Sequence, residues 1–296
     1  MFRECNIFVI VMEQMRVLER LLPAEGVERE WVLREHLQRL VLYALAQLNL
    51  YERYTLQGGT ALRLVYSSPR LSLDLDFTLE GAVVDSPRHA NALRNLLERA
   101  LAPEGVGVGL SGSKLDDAGS FHRYFLVFDV RRLIGRKLRV KAKVLSRRYS
   151  SAYYEMKPVE IRYPVVTAVG VRVKKLDCIL ADKVCSLAGA WRRGFVRWRD
   201  IFDIYWVRER GVRLNRDYLA EEFGSYMERL EDLVGVARFL RSVLERGDFA
   251  GVERELSVLL HRSLLSRSLV ELYLKSTAEV LEEAIEVLGG EASRLG

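Results

Sequence analysis

Two aspartates one residue apart, Asp74 and Asp76 in the run Leu73-Asp74-Leu75-Asp76-Phe77, have the type and spacing to do chemistry. On a strand alternate side chains share a face, so Leu73, Leu75 and Phe77 turn to a core while both carboxylates turn the other way. Neighbouring carboxylates repel, and a cation between them relieves the repulsion. Their hard oxygen atoms suit Mg²⁺ or Mn²⁺. Magnesium keeps several waters and takes further ligands from phosphate oxygens, so such a pair points to a phosphate-bearing substrate. A surface strand can equally carry two acids that bind nothing.

The turn upstream narrows the choice. In Gln57-Gly58-Gly59-Thr60 the missing Cβ atoms let backbone N–H groups approach a phosphate, and a helix N-terminus just beyond adds its positive end. Thr60 can cap that helix or bond a phosphate oxygen. Gly59 lies fifteen residues before Asp74, with a helix and a loop carrying Arg70 and Ser72 between them. That spacing can set a phosphate cradle beside a metal; a bare glycine pair is more often only a turn.

The elements that must position these residues follow from hydrophobic periodicity. Helical spacing runs from Val27 to Leu50, a short strand covers Tyr54 to Gln57, and Thr60 to Tyr66 reads as a helix started by the glycine turn. Leu73 to Leu79 alternates as a strand, and Ser86 to Leu101 is helical. Val106–Leu110, Phe121–Val130 and Lys137–Leu145 suggest a meander, followed by extended segments at Val159–Val166 and Val169–Val173. Helices are predicted near 176–188, 199–209, 217–246, 249–262 and 264–288. The fold class is therefore α+β: a mixed sheet with flanking helices, then an all-α C-terminal bundle, divided at 1–174 and 175–296.

Charge is unevenly distributed. The chain of 296 residues carries a net charge of +6, yet from Asp217 onward nine Lys/Arg face sixteen Asp/Glu, so the positive excess lies in the front of the chain. Arg131–Arg148 (RRLIGRKLRVKAKVLSRR) contains nine cations and no acid, and Trp191–Arg199 (WRRGFVRWR) mixes four arginines with three aromatics. Such segments attract phosphates and nucleic acid; the alternative is a solvated, arginine-rich face. Of three cysteines, Cys178 and Cys185 stand about 10 Å apart along one helix, too far for a disulfide, which fits a reducing cytoplasm. The apolar run Cys5–Met12 is far shorter than the roughly 20 residues of a membrane span and has no small-residue cleavage site after it. It reads as a buried N-terminal segment, with Met12 and Met15 as alternative starts.

Two residues further along stand out against apolar surroundings. Lys183 falls in the middle of the helical stripe formed by Leu176, Ile179, Leu180 and Leu187. It must reach into a cleft, be paired, or run its stem to water. Asp203 interrupts IFDIYWV, where a carboxylate needs a partner. Arg199 or Lys183 can pair with it, or it can help position a substrate or accept a proton.

The segment GGTALRLVYSSPRLSLDLDF resembles the signature of the AbiEii/AbiGii type nucleotidyltransferase toxins, which belong to the DNA-polymerase-β-like nucleotidyltransferase superfamily. The double glycine, Thr60, Leu62, the Pro-Arg-x-Ser run at 69–72 and the paired acids occur in the family's order and spacing. A second block, 176–207, resembles the later motifs: a helical lysine (Ala181-Asp182-Lys183) and Arg-Asp-x-x-Asp (Arg199 to Asp203).

The resemblance implies transfer of a nucleoside monophosphate from an NTP to an acceptor hydroxyl, with tRNA 3′ ends as one acceptor, protein as another, and a cognate antitoxin as partner. In that scheme Asp74 and Asp76 hold Mg²⁺ or Mn²⁺; Gly58, Gly59 and Thr60 cradle phosphates beside Ser72; Arg70 and Lys183 clamp the triphosphate; and Asp203 orients the acceptor or assists its deprotonation. Arg131–Arg148 and Trp191–Arg199 would contact RNA. One departure matters. Members of the superfamily place a third carboxylate on a neighbouring strand, whereas this chain has Lys143 there, in Arg139-Val140-Lys141-Ala142-Lys143. Asp129 is the candidate substitute. Without one, the alternative is a non-catalytic nucleotide- or RNA-binding protein on a degenerate nucleotidyltransferase fold.

Overall fold

A computed structural model of the chain describes residues 27–147, 150–161, 167–225 and 229–292. The expected N-terminal segment Cys5–Met12, the alternative starts, Arg148 and the end of the expected 159–166 strand lie outside these residues. The chain forms two compact units, one of the described residues up to Tyr66 with Ser72–Val173, the other of Ser67–Leu71 with the described residues from Lys174 onward.

The first unit is a seven-stranded mixed sheet with helices. In chain order it contains α1 (Val27–Gln47), β1 (Tyr54–Gln57), α2 (Gly58–Leu64), β2 (Asp74–Leu79), α3 (Ser86–Leu101), β3 (Val108–Leu115), β4 (Phe121–Phe128), β5 (Leu138–Ser146), β6 (Tyr154–Ile161) and β7 (Thr167–Lys174). The strand order is β3-β4-β5-β2-β1-β7-β6. The meander β3-β4-β5 is antiparallel, β2 runs parallel to β5 and antiparallel to β1, and β1 is parallel to β7.

Alternation within the strands decides which face is covered. Leu75, Phe77 and Leu79 on β2, Tyr124, Leu126 and Phe128 on β4, and Val140, Ala142 and Val144 on β5 are all essentially inaccessible. Helices α1 and α3 pack on the sheet, and Tyr54 stands edge-on to both Phe77 and His89 of α3. Burying each of these large apolar side chains contributes about 1.5–3 kcal/mol. The residues between them, Asp74, Asp76, Arg139, Lys141, Lys143, Arg123 and Phe125, therefore share the opposite face, and all keep solvent access.

The second unit is helical: α4 (Leu176–Arg192), α5 (Trp198–Arg208), α6 (Arg216–Ser225), α7 (Leu230–Arg246), α8 (Ala250–Leu256) and α9 (Arg267–Ala292). The helix expected over 217–246 is instead two helices, because Arg229 is extended and begins a new N-terminus. The 249–262 helix is likewise shorter, ending at Leu256. Phe202 and Tyr205 of α5 pack on Tyr273 of α9. The segment Ser67–Leu71 belongs to this unit: Leu71 N donates to the Leu259 carbonyl at 2.9 Å.

Candidate active site

Each unit carries one polar cluster built from the residues that the sequence singled out. In the first, pairing of β2 with β5 sets Asp74 opposite Lys141 and Asp76 opposite Lys143. Lys143 Nζ lies 2.9 Å from Asp74 Oδ2 and 3.1 Å from Asp76 Oδ1, and Lys141 Nζ is 2.9 Å from Asp74 Oδ2. Burial alone would raise the Asp74 carboxyl, but Lys143 and Lys141 override it and hold it below the ordinary carboxylate range. Lys143 is raised in turn: burial works against its charge, and the attraction of Asp76 and Asp74 outweighs it.

The glycine turn abuts this pair. Gly58 has φ +70°, and a Cβ placed there would come within 3.1 Å of Asp76 Oδ2, so the backbone favours glycine and any side chain would press on the carboxylate. Helix α2 begins at Gly58, with Gln57 as its N-cap and no side chain capping it. The expected capping role of Thr60 is thus not realised. Thr60 is fully buried; its hydroxyl donates to the Asp74 carbonyl and shares a 2.8 Å hydrogen bond with Ser72 Oγ. Gln38 of α1 donates to the Ser72 carbonyl at 3.0 Å. Thr60 and Ser72 thereby fix the entry of β2 against α2. Gly59 is buried beneath the turn.

Asp129 does not complete the acidic pair. It follows the end of β4, six positions beyond Arg123, the residue opposite Lys143, or about 20 Å along the strand. It pairs instead with Arg131 at 2.6 Å. Among the described residues no group of three or more His, Cys, Asp or Glu side chains is placed to hold a metal ion. Two carboxylates on an accessible face still suit Mg²⁺, which takes one or two protein carboxylates and completes its shell with water and phosphate.

The second cluster is buried. Arg70 meets Asp203 through two hydrogen bonds, Nε to Oδ1 at 2.6 Å and Nη2 to Oδ2 at 2.7 Å. Lys183 Nζ lies 2.8 Å from Asp203 Oδ2 and 2.7 Å from Asp200 Oδ1. Arg197 reaches Asp200 Oδ2 at 2.8 Å. For both Asp200 and Asp203, burial favours the neutral form but the surrounding cations prevail and keep the carboxyls well below their ordinary range. A carboxylate so held is a weak proton acceptor near neutral pH, where an effective general base has a pKa close to 7. Of the two partners weighed for Asp203, Lys183 is present, and Arg70 joins it.

Lys141 and Asp200 were not singled out by sequence reasoning. Both left a signal. Lys141 alternates with Lys143 on β5, and Asp200 precedes Asp203 by three residues, which puts both on one helical face.

The basic segments divide when folded. From Arg131–Arg148, Arg139, Lys141 and Lys143 share the face with the acids; Arg139 lies 4.0 Å from the Phe125 ring centroid, while Arg136 pairs with Glu30. In Trp191–Arg199, Trp191 and Trp198 both pack on Phe239, leaving Phe195 as the exposed aromatic.

Residues 40–258 match the family model described as "Nucleotidyl transferase AbiEii toxin, Type IV TA system". The chain belongs to the AbiEii family. AbiEii proteins are nucleotidyltransferase toxins of type IV toxin–antitoxin systems, and the matched residues include the glycine turn, the acidic pair and the buried cluster. Among curated proteins none matches the chain. Two solved structures are similar to this chain in fold. JHP933 from Helicobacter pylori has a TM-score of 0.53 and 18% identity, over 91% of this chain and 99% of its own. A second H. pylori protein, described as a candidate nucleotidyltransferase, has a TM-score of 0.52 and 19% identity, over 87% and 96%. Among the described residues no helix is long and apolar enough to cross a membrane.

Proposed function

We propose that this AbiEii-family chain transfers a nucleoside monophosphate from an NTP to an acceptor hydroxyl, with the 3′ end of tRNA as acceptor. The observation that carries this reading is the pair Asp74 and Asp76 side by side on the accessible face of β2, with the glycine turn against Asp76. Asp74 and Asp76 would hold Mg²⁺ or Mn²⁺, which supplies charge neutralisation at the phosphates. The N–H group of Gly58, at an uncapped helix start, binds a phosphate oxygen, and the buried Gly59 keeps the turn tight. Lys141 attracts the triphosphate. Thr60 and Ser72 act through Asp74, whose backbone they hold. Arg70 and Lys183 act as positioning residues, with Asp203 as their common anchor, and orient the Ser67–Leu71 segment.

Arg139 over Phe125, on the same face as the acids, supports contact with a single-stranded RNA end, since an aromatic ring flanked by cations stacks a base while binding its phosphates. The exposed Phe195 beside Arg193 offers a second such contact. Membership of a toxin–antitoxin family supports a cognate antitoxin as protein partner.

The test is incorporation of label from an α-labelled NTP into tRNA. The Asp74→Asn, Asp76→Asn double variant should abolish it, and undiminished incorporation would reject the assignment of the acids. A second reading, a non-catalytic nucleotide- or RNA-binding protein, is favoured by Lys143 at the position of a third carboxylate. It requires RNA binding that weakens steeply with salt, needs no magnesium and survives loss of both acids.

A further inference from the structure

Adjacent carboxylates on one strand repel, and a bound cation is the ordinary way to relieve that repulsion. Here the protein supplies the cation itself. Lys143 Nζ touches Asp74 Oδ2 at 2.9 Å and Asp76 Oδ1 at 3.1 Å, so a single ammonium contacts both of the groups that would hold a divalent ion. Lys141, on the same face of β5, adds a second contact to Asp74. Two lysines face two aspartates, and the cluster is neutral before any metal binds.

Its backbone setting makes this arrangement a property of the sheet. Asp74 and Asp76 stand in register with Lys141 and Lys143 across the parallel β2–β5 pair, within a run of six matched positions. The position that could have carried a third carboxylate therefore projects an ammonium towards the acids, and among the described residues no third acid approaches them.

We infer that Lys143 is a resident cation that occupies the bridging position between Asp74 and Asp76, so that the free protein has little affinity for divalent metal. An ion then enters with its nucleotide, whose phosphates contribute ligands and draw the lysine ammonium away from the acids. This inference rests on the reading of Asp74 and Asp76 as metal ligands. It adds that the chain's own lysine competes with the metal for them, and that metal and NTP bind as one.

Binding of Mn²⁺ alone, followed by the loss of the free-ion electron paramagnetic resonance signal, tests it without recourse to activity. Wild type should bind Mn²⁺ weakly. Lys143→Ala and the more conservative Lys143→Gln should each bind at least about tenfold more tightly, as expected on removing a positive charge a few ångströms from a divalent ion. Lys143→Asp should bind more tightly still. Adding Asp74→Asn and Asp76→Asn to Lys143→Ala should abolish the gain. Circular dichroism identifies any variant that fails to fold, and the Ala and Gln variants provide independent reports. Equal Mn²⁺ affinity in wild type and both variants, lost with the aspartates, would overturn the resident cation while leaving the acids as metal ligands. Mn²⁺ binding indifferent to the aspartates would overturn the metal assignment itself. Absence of binding in wild type and both variants would also overturn the inference, because removing Lys143 would then have released no site.

Discussion

Arg70 and Asp203 stand 133 residues apart in the chain and form a two-point ion pair, with the carboxylate wholly buried and the guanidinium nearly so. Lys183 approaches the same carboxylate at 2.8 Å. Removing one member of such a cluster leaves the others charged in a poorly solvated interior. Asp203→Ala should therefore lower stability by about 3–5 kcal/mol, and Asp203→Asn, which keeps an acceptor but loses the charge, by less. Urea denaturation midpoints measure both. A loss under about 1 kcal/mol for the alanine variant would remove the anchoring role assigned to Asp203.

His36 should give the fold a pH dependence. Burial first, and then the charge of Arg39, lowers its imidazole from 6.5 to about 4, and its buried Nε2 has no hydrogen-bond partner among the described residues. Between those values the unfolded chain binds more protons than the folded one. Stability should then be fully present above pH 6.5 and fall by up to roughly 3 kcal/mol as pH drops to about 4. His36→Leu should flatten that part of the curve of unfolding free energy against pH. A slope unchanged by the substitution would assign it to another group.

Gly58→Ala tests the closeness of turn and acid. The backbone there is left-handed, which disfavours any Cβ by about 1–2 kcal/mol, and the added methyl meets Asp76 Oδ2 at 3.1 Å. The expected outcome is a fall in melting temperature together with a loss of transfer activity larger than that fall explains. A variant with wild-type kcat would show that the Asp76 position tolerates displacement.

Thr60→Val keeps the side chain's bulk but removes the hydroxyl that holds Ser72 and the Asp74 carbonyl. A cost of about 1–3 kcal/mol is expected for the buried polar groups left behind. The transfer rate should fall through kcat, since Asp74 is then less firmly held. If KM rises while kcat stays constant, Thr60 contacts the nucleotide directly.

Six of the seven strands, the main helices and the two-aspartate edge were legible in the sequence because they depend on local periodicity; β6 runs from Tyr154 to Ile161 and so begins five residues before the expected segment at 159–166. A repeat of two in Leu73–Leu79 separates acids from core whatever the strand pairs with. The glycine turn is equally local, since a positive φ calls for glycine within a few residues of the helix it starts. The break near Arg229 was less visible because apolar spacing continues on both sides of it.

What these side chains meet was decided only by tertiary structure. Resemblance to a family placed Lys143 where an acid was expected, but its ammonium lies between the two aspartates because β2 pairs in parallel with a strand 67 residues away, in a register no local pattern specifies. Similarly, Arg70 looked like a phosphate ligand because its neighbours in sequence are the glycine turn and the acids, whereas its buried partner Asp203 lies in a distant helix. Periodicity fixes the face on which a charge emerges; the partner that neutralises it depends on which distant segment folds opposite, and that is set by the packing of the whole core.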